Sequence, residues 1–252
     1  MAKHNCAICG AEVGLLSGQK LADGNYICRK VCSKKTFGIF DKVAATLGDV
    51  TEHIAQVEKG TRIWNELLVP LKKSKDKEEK MKRFGNSLDL WVSPSTGLAA
   101  LVETRYKFIV FGKSELACVY RIADLVQYDY ETEEVKNSEG KTETKHYCVM
   151  AFKDTAGLYS FRMSISGQKS YEEIEKYFDT LFGIQKTLRN SFANAKRQMD
   201  AIKSVASTVK AAAAGTLDEA QAADTLSAVE TYVQGDRTEL IAKADAALEA
   251  FK

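Results

Sequence analysis

The sequence predicts an α+β fold: a small four-cysteine module, then an antiparallel β-sheet closed by a C-terminal helix, then an α-helical tail. Three observations predict it. Two short-spaced cysteine pairs open the chain, Cys6-Ala7-Ile8-Cys9 and Cys28-Arg29-Lys30-Val31-Cys32, with 18 residues between them. From Leu88 to Ile165, short runs rich in Tyr, Phe and Val alternate in polarity, as half-buried strands do. Past Phe192 there is no proline, and 17 of the last 60 residues are alanine, the best helix former. These shifts divide the chain into a cysteine module (1–38), a helical connector and charged linker (39–86), a sheet-plus-helix domain (87–191) and an alanine-rich helical tail (192–252).

The cysteine spacing points to a metal. Zinc takes four soft ligands at tetrahedral corners, and two close pairs supply them from two small turns. Gly10 follows Cys9 where a tight knuckle turn needs positive φ. Val13 to Ile27 reads as a hairpin with Asp23-Gly24 at its turn. A segment of roughly 40 residues buries little core, so the ion supplies most of its folding energy. The expected ligands are Cys6, Cys9, Cys28 and Cys32. Four thiolates close the coordination shell, so the Zn2+ is structural and metal-assisted hydrolysis is disfavoured. His4 beside the first pair is the alternative ligand. Disulfides or free thiols are the alternative to a metal. Against disulfides, Met1-Ala2-Lys3-His4-Asn5 offers no apolar leader, which argues for a reducing, cytoplasmic setting. Cys118 and Cys148 stand alone in apolar runs and read as small buried hydrophobes.

In the connector, Phe40, Val43, Ala44 and Leu47 recur at helical spacing, and Gly48 interrupts them. Asp49-Val50-Thr51-Glu52 then fits a helix start, with Ile54, Val57, Ile63, Trp64, Leu67 and Leu68 on one face. Pro70 and the charged run Lys72–Arg83 read as a linker. Strands are expected at Leu88–Val92, Leu98–Glu103, Tyr106–Phe111, Leu116–Arg121, Leu125–Tyr130, His146–Phe152 and Leu158–Ile165. The polar stretch Glu131–Lys145 between two of them is a protruding hairpin. Ser170-Tyr171-Glu172-Glu173 reads as a capping box opening a helix to Asn190, with an apolar stripe of Ile174, Tyr177, Phe178, Leu181 and Phe182. Antiparallel strands followed by one amphipathic helix match the order of a pleckstrin-homology-like (PH-like) barrel. In the tail, Gly215 and Gly235 separate three helices with thin apolar faces, the last restarting at Asp236-Arg237-Thr238-Glu239.

Residues 4–40 resemble a bacterial family, the domain of unknown function 4428. The resemblance rests on Cys6-Ala7-Ile8-Cys9-Gly10, Gly14-Leu15-Leu16, Lys20-Leu21-Ala22-Asp23-Gly24 and the pair Cys28…Cys32. The second pair is spaced C-x3-C where the family implies C-x2-C; no donor is lost. The resemblance implies metal binding, a bacterial or phage origin, and a following sheet similar to bacterial pleckstrin-homology modules. Tyr120-Arg121-Ile122-Ala123-Asp124-Leu125 is similar to a strand-and-turn element of those modules. It implies no activity.

Catalytic patterns are not evident. The three histidines, His4, His53 and His146, pair with no nucleophile at a recognisable spacing, and His53 and His146 read as packing or surface residues. No phosphate loop, nucleophile elbow or zinc-protease helix occurs; Gly112-Lys113-Ser114 reads as a turn. The expectation is therefore a non-enzymatic zinc-binding adaptor whose partner is a protein or a second copy, engaged through the helical tail unless the tail folds back on its own chain, with no small-molecule substrate identified. Charge offers two other readings. The net charge is only +2, but residues 72–86 carry seven basic and three acidic side chains, whereas residues 211–252 carry three basic and eight acidic ones. Lys72–Arg83 with Arg29, Lys30, Lys34 and Lys35 would suit nucleic acid. The same basic linker with a PH-like rim would suit an anionic membrane surface.

Overall fold

A computed structural model describes residues 3–76, 79–106, 112–153, 157–184 and 236–252. The chain divides into two compact units, Met1–Tyr171 with Leu240–Lys252, and Glu172–Glu239.

The first unit begins with two small antiparallel hairpins, β1 (His4–Asn5) with β2 (Glu12–Val13), and β3 (Gly18–Lys20) with β4 (Tyr26–Cys28). Asp23 and Gly24 turn the second hairpin, with Gly24 at φ 84°, where a residue without Cβ is unstrained. The stretch expected to be helical around Phe40 is instead a chain of turns. Asp41 explains this: its Oδ1 accepts the N–H groups of Val43 and Ala44, and such side-chain acceptance competes with helix formation. Lys42 Nζ donates to Thr36 Oγ1 and the Phe37 and Phe40 carbonyls, pinning the turns from inside.

Helix α1 (Leu47–Ile63) starts earlier than Asp49. Thr46 is its N-cap, and the cap is reciprocal: Asp49 N–H donates to Thr46 Oγ1 while Asp49 Oδ2 accepts Thr46 N–H. This is the capping box in a register three residues from the expected one, so Gly48 lies inside the helix. A π-helical stretch, Trp64–Leu68, leads into α2 (Val69–Lys72). The widening precedes Pro70, which has no N–H and crowds the carbonyl four residues before it.

α1 serves two cores. Its N-terminal Val50 and Ile54 join Cys6, Val13, Leu21, Ile27, Cys28, Cys32 and Ala45 in the module's core. Its C-terminal Ile63, with Trp64 and Leu68, joins Leu98, Ala100, Val102, Ala117, Ala244 and Phe251 against the larger sheet. That sheet has four antiparallel strands in sequence order: β5 (Lys82–Phe84), β6 (Asp89–Ser93), β7 (Leu98–Tyr106) and β8 (Lys113–Arg121). β5 falls inside the expected linker. It is an edge strand with exposed Lys82 and Arg83, the type of side chain that guards sheet edges and hides a strand from alternation rules. Leu98 to Val102 are all buried because both faces of β7 are covered. Lys113-Ser114 opens β8 rather than forming a turn. The expected strand Tyr106–Phe111 lies, beyond Tyr106 itself, outside the described residues.

Three further strands, β9 (Leu125–Lys136), β10 (Thr142–Phe152) and β11 (Ser160–Ile165), form a separate antiparallel sheet in the order β11-β10-β9. The β9–β10 hairpin is the long polar one expected. Asn137 Oδ1 accepts the N–H groups of Glu139 and Lys141 across its turn. The described strands form an open four-stranded and an open three-stranded sheet, so the closed barrel expected from the order of strands and helix is not formed among them.

Helix α3 (Gln168–Leu181) begins two residues before Ser170, so Ser170 is helical and is not its cap. It stops far short of Asn190: Gly183 adopts φ 69°, and Ile184 N–H returns to the Asp179 carbonyl, a glycine-terminated helix end. Ile174, Phe178 and Phe182 of the expected stripe are buried. The first two expected tail helices lie outside the described residues. The third is α4 (Thr238–Leu248). Its thin face of Leu240 and Ala244 is buried in the chain's own first unit, where Gly97 at φ 66° leaves no room for a Cβ against the Leu240 carbonyl. Asp245 pairs with Arg121 at 2.7 Å, and Arg62 donates to the Phe251 carbonyl.

Gly60 lets α1 lie directly on β8. A Cβ there would meet the Ala117 carbonyl oxygen at 2.3 Å and Val119 N at 2.9 Å. Alanine is the better helix former by about 1 kcal/mol, but backbone atoms cannot yield as side-chain tips do, so the clash decides the sign. Gly60→Ala is expected to lower unfolding free energy by about 1–3 kcal/mol in chemical denaturation. A stabilised variant would contradict this helix–sheet contact.

Candidate metal centre

Two turns and one strand end build the site. Cys6 follows β1; its N–H donates to the Ala11 carbonyl and its carbonyl accepts Gly10 N–H, each at 2.8 Å. This tight knuckle, with Gly10 at φ 74°, brings Cys9 back beside Cys6. Ala7 N–H bonds the Tyr26 carbonyl and ties the knuckle to β4, which ends on Cys28. Cys32 opens a 3-10 turn, Cys32–Lys35. All four expected ligands are thus brought together, with every sulfur within 4.8 Å of the others.

The spacing fits a tetrahedral ion. With a metal–sulfur bond of about 2.3 Å, the edge of a tetrahedron of sulfurs is about 3.8 Å. Cys6 Sγ to Cys32 Sγ is 3.7 Å and Cys9 Sγ to Cys28 Sγ is 3.6 Å. Both distances are far beyond a covalent S–S bond of about 2.05 Å. The longer C-x3-C spacing costs no donor, because the i, i+4 step returns the chain on itself and Cys32 N–H donates to Cys28 Sγ at 3.3 Å. Cys28 N–H likewise donates to Cys6 Sγ at 3.2 Å. His4 is not part of the cluster; it stacks on Tyr26 with ring centres 3.9 Å apart.

The electrostatics of the bare thiols call for a cation. Burial works against ionising Cys6, but the N–H groups of Cys9, Cys28 and Ile8 outweigh it and bring the thiol down to about 6. Cys32 moves the opposite way, raised by burial and then by its three neighbouring sulfurs. The fold therefore prepares at least one thiolate and penalises accumulating four, the imbalance that a bound dication removes. Cys118 and Cys148 are fully buried, and burial pushes Cys148 up to about 12; both are inert core groups.

Residues 4–53 match the family model described as Domain of unknown function (DUF4428). The match takes in all four cysteines and ends on His53. Comparison of the chain with curated proteins and with solved structures gives no match.

His53 is fully buried and joins the module to the sheet. Its Nε2 accepts Phe37 N–H at 3.0 Å, so its proton sits on Nδ1 and is donated to Gln56 Oε1 at 3.2 Å. Gln56 in turn bonds both the N–H and the carbonyl of Leu158, and Phe40 stacks on the imidazole at 4.2 Å. A second set of contacts comes from β7. Glu103 accepts Gly38 N–H at 2.6 Å, and Arg105 donates to the Thr36 carbonyl at 2.6 Å and to the Lys34 carbonyl. Sequence reading missed Gln56, Glu103 and Arg105; the available signal was two charged residues, two apart, closing an otherwise apolar strand.

Burial lowers the His53 imidazole to about 4. A histidine depressed on folding binds its proton more readily when unfolded. Its contribution is complete above about 6.5 and is lost as pH falls toward 4. Across that window wild type is expected to lose up to about 3 kcal/mol that a His53→Gln variant does not lose, read as the difference in slope of melting temperature against pH. Parallel slopes would contradict a buried neutral imidazole.

No helix among the described residues is long and apolar enough to cross a membrane.

Proposed function

We propose that the chain is a non-enzymatic adaptor in which a structural Zn2+, held by Cys6, Cys9, Cys28 and Cys32, clamps a small module onto a PH-like sheet platform. The observation that carries this is the four-sulfur cluster. A tetrahedral ion with four protein thiolates has no position left for water or substrate, so its work is to hold the fold. The order of four antiparallel strands, three antiparallel strands and a helix supports the pleckstrin-like reading, as do Tyr120 to Leu125 at the junction of the two sheets. Three of the cations that nucleic-acid binding would use are engaged within the chain. Lys72 lies 4.2 Å from the Trp91 ring centre, Arg83 pairs with Asp89 at 2.7 Å, and Lys35 pairs with Glu58 at 2.9 Å. With a net charge of only +2, an adaptor is favoured over a nucleic-acid binder.

Cobalt substitution tests the closed shell. Co2+ in place of the native ion should give the intense visible bands of tetrahedral four-thiolate coordination, unchanged by added azide or cyanide. Bands that shift with azide would reveal an open position and overturn the structural assignment.

A further inference from the structure

The module leaves large apolar side chains exposed among the described residues. Leu15 is 81% and Leu16 is 89% exposed, two of the three most exposed large apolar side chains among the described residues. They sit side by side in the turn between β2 and β3. The turn is built rather than loose: Gly14 N–H donates to Ser17 Oγ at 2.9 Å and Gly18 N–H to the Gly14 carbonyl at 2.9 Å. It is also fastened to the second cysteine pair. Arg29 N–H donates to the Ser17 carbonyl and Arg29 Nε to the Gly18 carbonyl, each at 2.9 Å.

We propose that the Leu15–Leu16 turn is a membrane-docking tip that enters the surface of an anionic bilayer. Charge around the turn favours lipid. Between Lys3 and Phe40 there are six basic and two acidic side chains, and a dication held by four thiolates adds about −2, which leaves the segment net basic. Both acidic ones are occupied within the module's surroundings: Glu12 pairs with Lys3 at 2.9 Å, and Asp23 accepts the N–H groups of Asn25 and Leu47. Lys20, Arg29, Lys30 and Lys34 remain exposed, with the Arg29 guanidinium at the foot of the turn. Two leucines give only weak, reversible insertion, and stable binding needs a second signal from cations on headgroup phosphates. The turn carries both signals on a support the cysteine cluster makes rigid. A protein groove would receive the leucines equally well but would not call for the Arg29 guanidinium at their base. This inference rests on the adaptor reading and names its partner; it uses a different surface from the Lys72–Arg83 linker.

The experiment is co-sedimentation of the full chain with phosphatidylcholine vesicles, with and without phosphatidylserine. Binding is expected only with phosphatidylserine, and to weaken as salt is added. Joint Leu15→Ser and Leu16→Ser substitution should lower affinity roughly tenfold or more, while Tyr159→Ser, which removes an exposed side chain just before β11, outside the cysteine module, should leave it unchanged. Zinc content of each variant reports whether the module is intact. If the double variant loses zinc, Leu16→Ala decides instead: a severalfold loss of affinity supports the tip and unchanged affinity overturns it. The proposal is also overturned if the chain stays in solution with both vesicles, if the double variant binds as wild type does, or if Tyr159→Ser weakens binding as much. Leucine-dependent binding by a chain that holds no metal would keep the tip and overturn the metal-clamped adaptor; a zinc-loaded chain that ignores vesicles would do the reverse.

Discussion

Cys28→Ser is expected to abolish metal binding and to unfold the cysteine module while the larger sheet keeps its core. Cys28 is the best-connected ligand: its sulfur lies 3.6 Å from that of Cys9, accepts Cys32 N–H, and its own N–H caps Cys6 Sγ. A hydroxyl at this position is a poorer donor to a soft ion and leaves three thiolates with no fourth partner. Small structural zinc modules take about 10–16 kcal/mol of apparent free energy from the ion at neutral pH, more than a core the size of Cys6 to Ile54 supplies. The loss should therefore be complete rather than graded. In amide hydrogen exchange, protection should vanish from β1 to β4 and from the first turns of α1, and persist in β6 to β8, whose apolar cluster contains none of the module's residues. Weakened protection at Thr36, Gly38 and His53, which hold the module to the sheet, is part of the same expectation. Retained protection in β1 to β4 would show that the module stands without its ion.

Trp64→Ala should be the most damaging single change in the sheet core. Trp64 is fully buried between α1, β7 and α4, and its indole N–H donates to Glu115 Oε2 at 2.8 Å. Its ring lies 6.1 Å from that of Trp91, and Lys72 sits 5.4 Å from its centre. Truncation removes a large ring from a packed site and leaves a partly buried carboxylate with one donor fewer. Burial alone would raise the Glu115 pKa, but its bonds to Trp64 and Lys113 lower it. The expected loss is about 3–5 kcal/mol in urea unfolding. A change below about 1 kcal/mol would mean that the C-terminal end of α1 does not anchor the sheet.

The parts legible in the sequence were those set by short-range chemistry. Cys6, Cys9, Cys28 and Cys32 announce themselves because a metal needs those donors at those intervals, and the module's turns follow from Gly10 and Gly24. The strands from β6 to β11 were visible through their aromatic and β-branched runs, apart from ends that fray by a few residues. Features set by competition were less legible. Phe40 to Leu47 has helical spacing, yet the Asp41 carboxylate claims two backbone N–H groups and the helix begins only after Thr46. β5 is three residues long and two of them are charged, so no pattern marks it. The order of strands and helix suggests a barrel, but closure depends on register and pairing, which alternation does not encode. The helix after Gly167 is legible but its end is not, because Gly183 can be read either as an interior residue or as an end. Long-range polar fastenings were invisible: Gln56 meets Leu158 across 102 positions, and nothing local distinguishes that glutamine from a surface one. The thin face of α4 is legible as thin, with a partner and the chain's own body as equal alternatives, and it is the chain's own first unit that covers it.

Metal stoichiometry tests the central claim most directly. The full chain, purified under reducing conditions without chelator, should carry one zinc per molecule by elemental analysis, and the ion should leave as the thiols are protonated in acid. Less than about half an equivalent in that preparation, or disulfides linking Cys6, Cys9, Cys28 and Cys32 in protein kept reduced, would contradict a metal-clamped module.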